Sequence, residues 1–235
     1  MALLSRGKPR TRLSNSTLLF IIAGIIFILM YGIAIISFPV SFRQFQTFFD
    51  FFNLNAALFI VTLGMCIVMI GGGIDISVGA VCGLVTMACA VLLQSGAGNI
   101  WGALFLALGI GLAFGLMHGF LIAYLEIQPF IITLAGMFLA QGLLTTLHKE
   151  PLNVTVPAFV ALRRYTIEIP WLGTVNRLGV FIPSEIKPSV FVVIALIVIY
   201  AVLMKWSRFG RNLYAVGGNR QSARMLGINV TRTIF

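Results

Sequence analysis

Residues 51–79 read FFNLNAALFIVTLGMCIVMIGGGIDISVG, and this stretch decides the fold class. Its first twenty residues carry no charge, and they are followed by three glycines and then by the acid Asp75. A helix needs about 20 apolar residues to cross a hydrocarbon core of about 30 Å. Glycine ends helices because its backbone reaches positive φ without steric cost. The stretch therefore predicts a membrane-spanning helix that breaks at 71–73 and is followed by a second apolar helix.

The composition extends this interpretation to the whole chain. Of the 235 residues, 60% are hydrophobic and 9% are charged, whereas a soluble domain has about 25% charged residues. So few charges exclude a water-covered globular domain. We predict an all-α, polytopic transmembrane helical bundle that forms one membrane-spanning domain over 1–235. Its six predicted spans are 17–38, 51–70, 76–93, 101–125, 129–147 and 190–204.

The distribution of positive charge predicts the orientation of the spans. The net charge is +10, and Lys and Arg concentrate in cytoplasmic segments of membrane proteins. The segment before the first span holds Arg6, Lys8, Arg10 and Arg12, and the segment after the last span holds Lys205, Arg208, Arg211, Arg220, Arg224 and Arg232. Both termini are therefore expected in the cytoplasm, which requires an even number of crossings.

With six crossings, the long segment 146–189 is a periplasmic loop. It carries charges of both signs and five prolines, which exclude one continuous helix. We expect short helical pieces there, lying on the outer surface. No platform of alternating aromatic and basic residues accompanies the positive charge, so nucleic acid is not an expected partner, whereas the lipid bilayer is.

The reactive side chains form no recognisable catalytic or metal-binding pattern. Cys66, Cys82 and Cys89 all lie in apolar blocks without a CxxC spacing or a nearby His, which is typical of small buried residues. We therefore predict no catalytic residue and no metal ligand in this chain.

The helix break has two possible roles. Asp75 and Ser77 could accept hydrogen bonds from the free amides at the start of the next helix, which makes the break a structural turn. Alternatively, broken helices line the substrate path in many transporters. The residues of this helix break and candidate translocation core are Gly72, Gly73, Asp75, Ser77 and Gly79.

A second pattern is a row of glycines at Gly111, Gly115 and Gly119. The spacing of four places them on one face of a helix, where another backbone can approach closely. We predict a helix-packing seam, either within a transport core or as an ordinary helix contact. His118 lies next to this seam, and we expect it to be a satisfied residue at a helix interface.

The tail segment 208–228 reads RFGRNLYAVGGNRQSARMLGI and carries the most specific pattern. Gly217 and Gly218 predict a break, Asn219 an N-cap, residues 221–226 a short helix, and Gly227 its end. A short helix outside the bilayer suits docking into a groove of a soluble partner when it carries an apolar patch, here Met225, Leu226 and Ile228. The alternative is a basic segment lying on lipid headgroups.

At this point a family resemblance can be stated. The stretches 72–79, 129–138 (PFIITLAGMF) and 208–228 resemble those of permeases in the ribose, xylose, arabinose and galactofuranose class of ABC importers. The middle stretch is most similar to the galactofuranose type. Residues 221–227 (QSARMLG) also resemble the Glu-Ala-Ala-x-x-x-Gly coupling loop of ABC permeases, although Gln221 replaces the glutamate.

The resemblance implies a function and partners. It implies a membrane-spanning permease subunit of a bacterial importer for a monosaccharide, located in the inner membrane. It implies a second permease subunit, a periplasmic sugar-binding protein and an ABC ATPase. It implies a cytoplasmic coupling segment over 205–235, with contact residues Arg208, Gly210, Arg211, Gly217, Gly218, Asn219, Ala223, Gly227 and Ile228.

The chain has no G-x-x-x-x-G-K-[ST] motif, so we expect it to be no enzyme and ATP-Mg to bind in the partner ATPase. Because family members usually continue with further spans, the resemblance also implies C-terminal truncation. Two other functions remain open. The chain could be an ion-coupled secondary transporter, for which Asp75 is the sole deep acid, or a non-transporting membrane assembly subunit.

Overall fold

The computed structural model describes residues 15–38, 42, 44–175 and 180–235. The basic N-terminal segment with Arg6, Lys8, Arg10 and Arg12 lies outside the described residues. The helices are α1 Asn15–Ser37, α2 Phe45–Ile70, α3 Val78–Gln94, α4 Ile100–Ala123, α5 Pro129–Leu147, α6 Pro157–Arg164, α7 Pro188–Trp206, α8 Arg208–Gly218, α9 Arg220–Met225 and α10 Val230–Ile234. Two strands, β1 Ile167–Val175 and β2 Phe181–Ile186, pair as one small sheet.

The helical membrane fold is confirmed, with one span shorter than the others. Within the described ranges, five helices are long and apolar enough to cross a membrane, namely α1, α2, α4, α5 and α7. The sixth predicted span corresponds to α3, an apolar helix of 17 residues. The prediction of about six spans is therefore consistent with the structure.

The start of the second helix was predicted six residues too late, at 51 instead of Phe45. Asp50, which directly precedes the predicted span, lies within the helix. Gln46 donates a hydrogen bond from Nε2 to Asp50 Oδ1 at 2.7 Å. Residues four apart are neighbours on a helix surface, so this pair satisfies the carboxylate inside the helix.

The chain divides into two compact units, which are described separately. The first comprises Met1–Phe51 and Glu168–Glu185, and the second comprises Phe52–Ile167 and Ile186–Phe235. In the first unit, α1 exposes large apolar side chains around its whole circumference, and none of its membrane-span window is buried. A helix that is apolar all round requires a lipid or protein environment.

The structure of segment 146–189 differs in part from the expectation. Residues 157–164 form the expected short helix α6, but β1 and β2 were not expected. Each strand contains a proline, Pro170 or Pro183. A two-stranded sheet consists of edge strands only, where a missing amide hydrogen is tolerated. The amide of Gln46 holds β2, accepting a hydrogen bond from the Glu185 nitrogen at 2.7 Å and donating one to the Glu185 carbonyl at 3.3 Å.

The core of the second unit lies where α3, α4 and α5 meet. Leu84, Phe114 and Ala140 form its buried cluster. Nearby, the ring of His118 is buried and packs edge-on against Phe114, with ring centroids 5.9 Å apart. His118 lies at a helix interface as expected, but its Nε2 has no hydrogen-bond partner among the described residues. The expectation that it is fully satisfied is therefore wrong, because α5 presents only the bare backbone of Gly136 at this point.

A methyl group at Gly136 tests this contact. The Cβ of Gly136→Ala would overlap the Nε2 of His118. Overpacking of this kind lowers the free energy of unfolding by about 1–3 kcal/mol. We expect a lower midpoint of thermal unfolding for the purified chain in detergent.

The control is Gly142→Ala on the same helix, where an added Cβ meets no atom within 4 Å. We expect its unfolding midpoint to be unchanged. Equal midpoints for the two variants would contradict the described packing of α4 on α5.

Candidate functional site

The helix break at 71–73 is a complete C-terminal cap of α2. Gly72 has φ +78°, which favours glycine. The amide of Gly73 donates to the Val68 carbonyl and that of Gly72 to the Met69 carbonyl, both at 3.0 Å. This pair of hydrogen bonds is the Schellman motif. The predicted helix stop is confirmed, and its physical cause is the positive φ at Gly72.

The prediction that Asp75 and Ser77 both accept hydrogen bonds at the start of α3 is correct for Asp75 alone. Asp75 Oδ1 accepts hydrogen bonds from the backbone nitrogen of Ser77 at 2.8 Å and from its hydroxyl at 2.6 Å. Ser77 is the N-cap residue of α3, but its side chain accepts no capping hydrogen bond. The prediction that Ser77 caps α3 is therefore wrong, because its hydroxyl donates to Asp75. Asp75 closes a tight local turn that leads into α3.

Thr133 connects this turn to α5, and it was not among the predicted site residues. Its buried hydroxyl lies 3.3 Å from the carbonyl of Ile74 and 3.3 Å from that of Phe130. The signal was present, because Thr133 lies in the apolar stretch 129–138 just after a helix-starting proline. Gly79, by contrast, meets no atom within 4 Å of an added Cβ, so packing within this chain does not explain that glycine.

The tail begins with α8. One of its predicted coupling residues, Gly210, packs closely against the end of α7. Ser207 caps α8 by accepting a hydrogen bond from the Gly210 nitrogen at 3.1 Å. Gly210 is buried against the backbone of Met204, where a Cβ would overlap the Met204 carbonyl. The absence of a side chain at Gly210 therefore lets α8 fold back closely on the end of α7.

The predicted break is present, one residue later than the glycine pair Gly217 and Gly218. Both residues are the last residues of α8, and the chain leaves the helix at Asn219. Gly217 is required for a different reason, since a Cβ there would overlap the carbonyl oxygen of Ile70 at the end of α2. Gly218 meets no atom within 4 Å. Gly217 alone therefore marks a close approach of two helix ends.

The prediction for α9 is confirmed at both of its ends. Asn219 Oδ1 accepts a hydrogen bond from the Ser222 nitrogen at 2.9 Å, which is an N-cap. Gly227 has φ +78° and donates to the Arg224 carbonyl at 3.0 Å. Ile228 donates to the Ala223 carbonyl at 3.1 Å, which completes a second Schellman motif.

The inner face of this tail forms its own small core. Val216 of α8, Ala223 of α9 and Val230 of α10 are buried together, with Ile228 packed against them. The three short helices therefore hold one another in place. Ile228 was expected in the exposed patch with Met225 and Leu226, but it faces this core.

The outer face of α9 combines apolar and basic side chains. Met225 is 76% exposed and Leu226 is 77% exposed. Arg208, Arg211, Arg220 and Arg224 are exposed as well. Arg224 forms an ion pair with Glu126 at 3.3 Å, with 60% and 75% of the two side chains exposed. An exposed pair of this kind contributes about 0–1 kcal/mol, so the position of α9 depends on the buried apolar core.

The helix break and the tail border one cavity of about 360 Å³. Its polar lining includes Asp75, His118, Thr133, Arg220 and Arg232, and Leu213 and Phe235 are among its apolar lining. The structure thus brings together the two groups of residues that the sequence predicted separately.

The predicted glycine seam has no packing partner over most of its length. Added Cβ atoms at Gly111 and Gly115 meet no atom within 4 Å, and both residues are exposed. Gly119 lies against Phe235, whose Cδ2 would be 3.3 Å from such a Cβ. Only Gly119 therefore packs in the described part of the chain, and the role of the other two glycines stays a prediction.

Comparisons with known proteins identify the class. The family model for the permease component of branched-chain amino acid transport systems matches residues 47–235. The chain therefore belongs to this family of transport permeases. It is a multi-pass membrane protein of the inner-membrane permease class, as the sequence predicted.

Individual relatives narrow the comparison. The inner membrane ABC transporter permease protein YjfF of Escherichia coli (strain K12) is 33% identical over 88% of this chain and 59% of its own length. The fructose import permease protein FruG of Bifidobacterium longum (strain NCC 2705) is 32% identical over 77% and 52%. The galactose/methyl galactoside import permease protein MglC of Haemophilus influenzae (strain ATCC 51907 / DSM 11121 / KW20 / Rd) is 27% identical over 100% and 69%.

This chain thus spans little more than half the length of the first two relatives. No solved structure matches it significantly.

The two adjacent glycines of α8 give a paired test of the tail's attachment. Gly217→Ala places a Cβ on the Ile70 carbonyl and should destabilise the purified chain by about 1–3 kcal/mol. Gly218→Ala meets open space and should leave stability unchanged or raise it by up to about 1 kcal/mol, because alanine favours helix over glycine. Thermal unfolding in detergent measures both. Equal effects of the two substitutions would contradict the close approach of α8 to α2.

Proposed function

We propose that this chain is a membrane-spanning permease subunit of a bacterial ABC importer for a monosaccharide. In this proposal its helices contribute to the translocation path, and a separate ATPase drives them through the coupling segment 205–235. The partners are that ATPase, a periplasmic sugar-binding protein and a second permease subunit. Membership of the permease family supports the transport role.

The observation that carries the ATPase proposal is the exposed apolar tip of α9. Met225 and Leu226 are about three-quarters exposed on a helix that is closed at both ends by caps and held by its own buried core. Exposed apolar residues on a rigid, basic-flanked helix suit insertion into a groove of a soluble protein. These residues contain no phosphate-binding loop, so the proposal assigns nucleotide binding to a separate ATPase.

Three considerations support a sugar as the substrate. The stretches 72–79, 129–138 and 208–228 resemble those of sugar permeases. Two of the relatives are named for import of fructose and of galactose and methyl galactoside. The family description refers to branched-chain amino acids, but it covers a broader group than these individual relatives, which makes the sugar assignment the more specific one.

The orientation belongs to the same proposal. The tail carries six basic residues and no acid after the last span, so the positive-inside rule puts it in the cytoplasm. There it can reach an ATPase, and the segment 146–189 with its strands faces the periplasm, where a binding protein delivers sugar.

Substitution of Met225 tests the docking role. The chain is expressed together with an ABC ATPase and a sugar-binding protein of this importer class, and the complex is purified in lipid nanodiscs. Met225→Asp puts a charge into a contact that excludes water, which is costly. We expect ATPase co-purification to fall about tenfold, equivalent to about 1.4 kcal/mol, and hydrolysis stimulated by the loaded binding protein to fall with it.

The matched control is Met225→Leu, which keeps the apolar surface and volume and should retain both activities. Because Met225 is exposed, neither change should alter the thermal unfolding of the isolated chain. Normal ATPase binding and coupled hydrolysis in Met225→Asp would refute docking through the α9 tip. Sugar uptake that stops when ion gradients are collapsed, with ATP present, would support the secondary-transporter alternative.

A further inference from the structure

Two contacts join the coupling segment directly to the helix break, and neither is assigned a role by the proposed function. The first is between Gly217 of α8 and the carbonyl of Ile70, so close that a Cβ at Gly217 cannot be accommodated. The second is between Leu213 and Gly71, where Leu213 Cδ1 would lie 3.0 Å from a Cβ at position 71. One contact is made at the last residue of α2 and the other at the residue that follows it.

The coupling segment can act as one body on these contacts. Val216 is 1% exposed and lies between the two contact residues of α8, and it packs on Ala223 of α9, which is also 1% exposed. Close-packed interiors transmit displacement because they have little free volume. A force on the exposed tip of α9 is therefore passed through this core to α8.

The other side of the contacts leads into the membrane helices. The Schellman motif at Gly72 ends α2, and the Asp75 turn then starts α3 within a few residues. The hydroxyl of Thr133 holds the same turn to α5 through the Ile74 carbonyl. The end of α2 is thus a point from which α2, α3 and α5 can all be moved.

We propose that Leu213 and Gly217 form a transmission joint, in which α8 pushes on the end of α2 and carries motion of α9 to the Gly71–Asp75 break. These are positioning residues, since they act on the translocation helices through the break. The joint rests on the proposed function, because it requires an ATPase that moves α9. The class of partner it serves is a nucleotide-driven motor that engages the exposed tip.

A competing route runs through the ion pair between Arg224 and Glu126. Both of its side chains are mostly exposed, so water and salt weaken the attraction, and long side chains absorb small displacements by changing rotamer. The glycine-to-carbonyl contact has no side chain to rearrange. Backbone-level packing therefore carries the displacement more directly than this ion pair.

The test is a double-substitution cycle at the Leu213–Gly71 contact. Gly71→Ala adds a methyl group at 3.0 Å from Leu213 Cδ1, and Leu213→Ala removes the opposing atoms. In the full complex with the ATPase and the binding protein, each single change should lower binding-protein-stimulated ATP hydrolysis about fivefold or more, the lower end of typical coupling between sites. Because the added methyl fills part of the space left by Leu213, the double variant should lose clearly less than the product of the two single losses.

Three readouts separate coupling from general damage. Gly64→Ala lies on the same helix with no atom within 4 Å of its Cβ and should retain stimulated hydrolysis. ATPase co-purification should stay normal in every variant, since the α9 tip is unchanged. The double variant with Gly71→Ala and Leu213→Val is a second test of the contact. Valine is shorter than leucine, so this variant should regain part of the hydrolysis activity that Gly71→Ala loses.

The outcomes distinguish the joint from the function it rests on. Independent losses in the double variants, or an equal loss in Gly64→Ala, would overturn the joint and leave the proposed function standing. If the unaltered chain binds no ATPase and shows no stimulated hydrolysis, the proposed function fails and the joint fails with it. The joint is supported if ATPase binding stays normal in all variants, the double variants lose less stimulated hydrolysis than the product of the single losses, and Leu213→Val restores part of the activity of Gly71→Ala.

Discussion

The close approach of Gly217 to the Ile70 carbonyl is the constraint on which the cytoplasmic end of the structure depends. It is possible only because Gly217 has no side chain, since a Cβ there would overlap the Ile70 carbonyl. Helix ends leave carbonyl groups without helical partners, and here one such carbonyl faces the bare backbone of α8. This contact sets α8 at the end of α2, and the position of α9 follows through the core of Val216, Ala223 and Val230.

The stabilising contributions in this region are mainly apolar and steric. The one ion pair in the described part of the chain, between Arg224 and Glu126, is exposed on both sides and contributes little. The exposed arginines keep the outer surface of the tail hydrated, which leaves Met225 and Leu226 as an apolar tip on a polar face. That combination explains how a segment can be firmly attached on one side and still present a docking surface on the other.

Local features of the chain could be predicted from the sequence, and long-range contacts could not. The stops at Gly72 and Gly227 and the cap at Asn219 depend on hydrogen bonds within a few residues, and the residue types alone indicate them. The length and apolarity of the spans are likewise readable. The contact between Gly217 and the Ile70 carbonyl could not be predicted, because the two residues lie far apart in sequence.

The other errors also arise from neighbours, distant or close in the chain, that the residue type alone does not reveal. Strands β1 and β2 contain prolines that argue against central strands, but the sequence does not say that their sheet has only two strands. Ser77 has the right residue type for a cap, yet Asp75 two residues earlier takes its hydroxyl. Thr133 gains its role only when α5 packs beside the Asp75 turn. In each case the neighbour that decides the outcome is set by the folded backbone.

The central claim is that the tail with its exposed α9 tip is a cytoplasmic handle for an external motor. The most direct test labels Met225→Cys, in a chain whose three native cysteines are replaced by alanine, with a maleimide that cannot cross membranes. The account predicts no labelling in cells with an intact inner membrane and a permeabilised outer membrane, and full labelling once the inner membrane is opened. Labelling of Met225→Cys before the inner membrane is opened would put the tip on the periplasmic side and contradict the account.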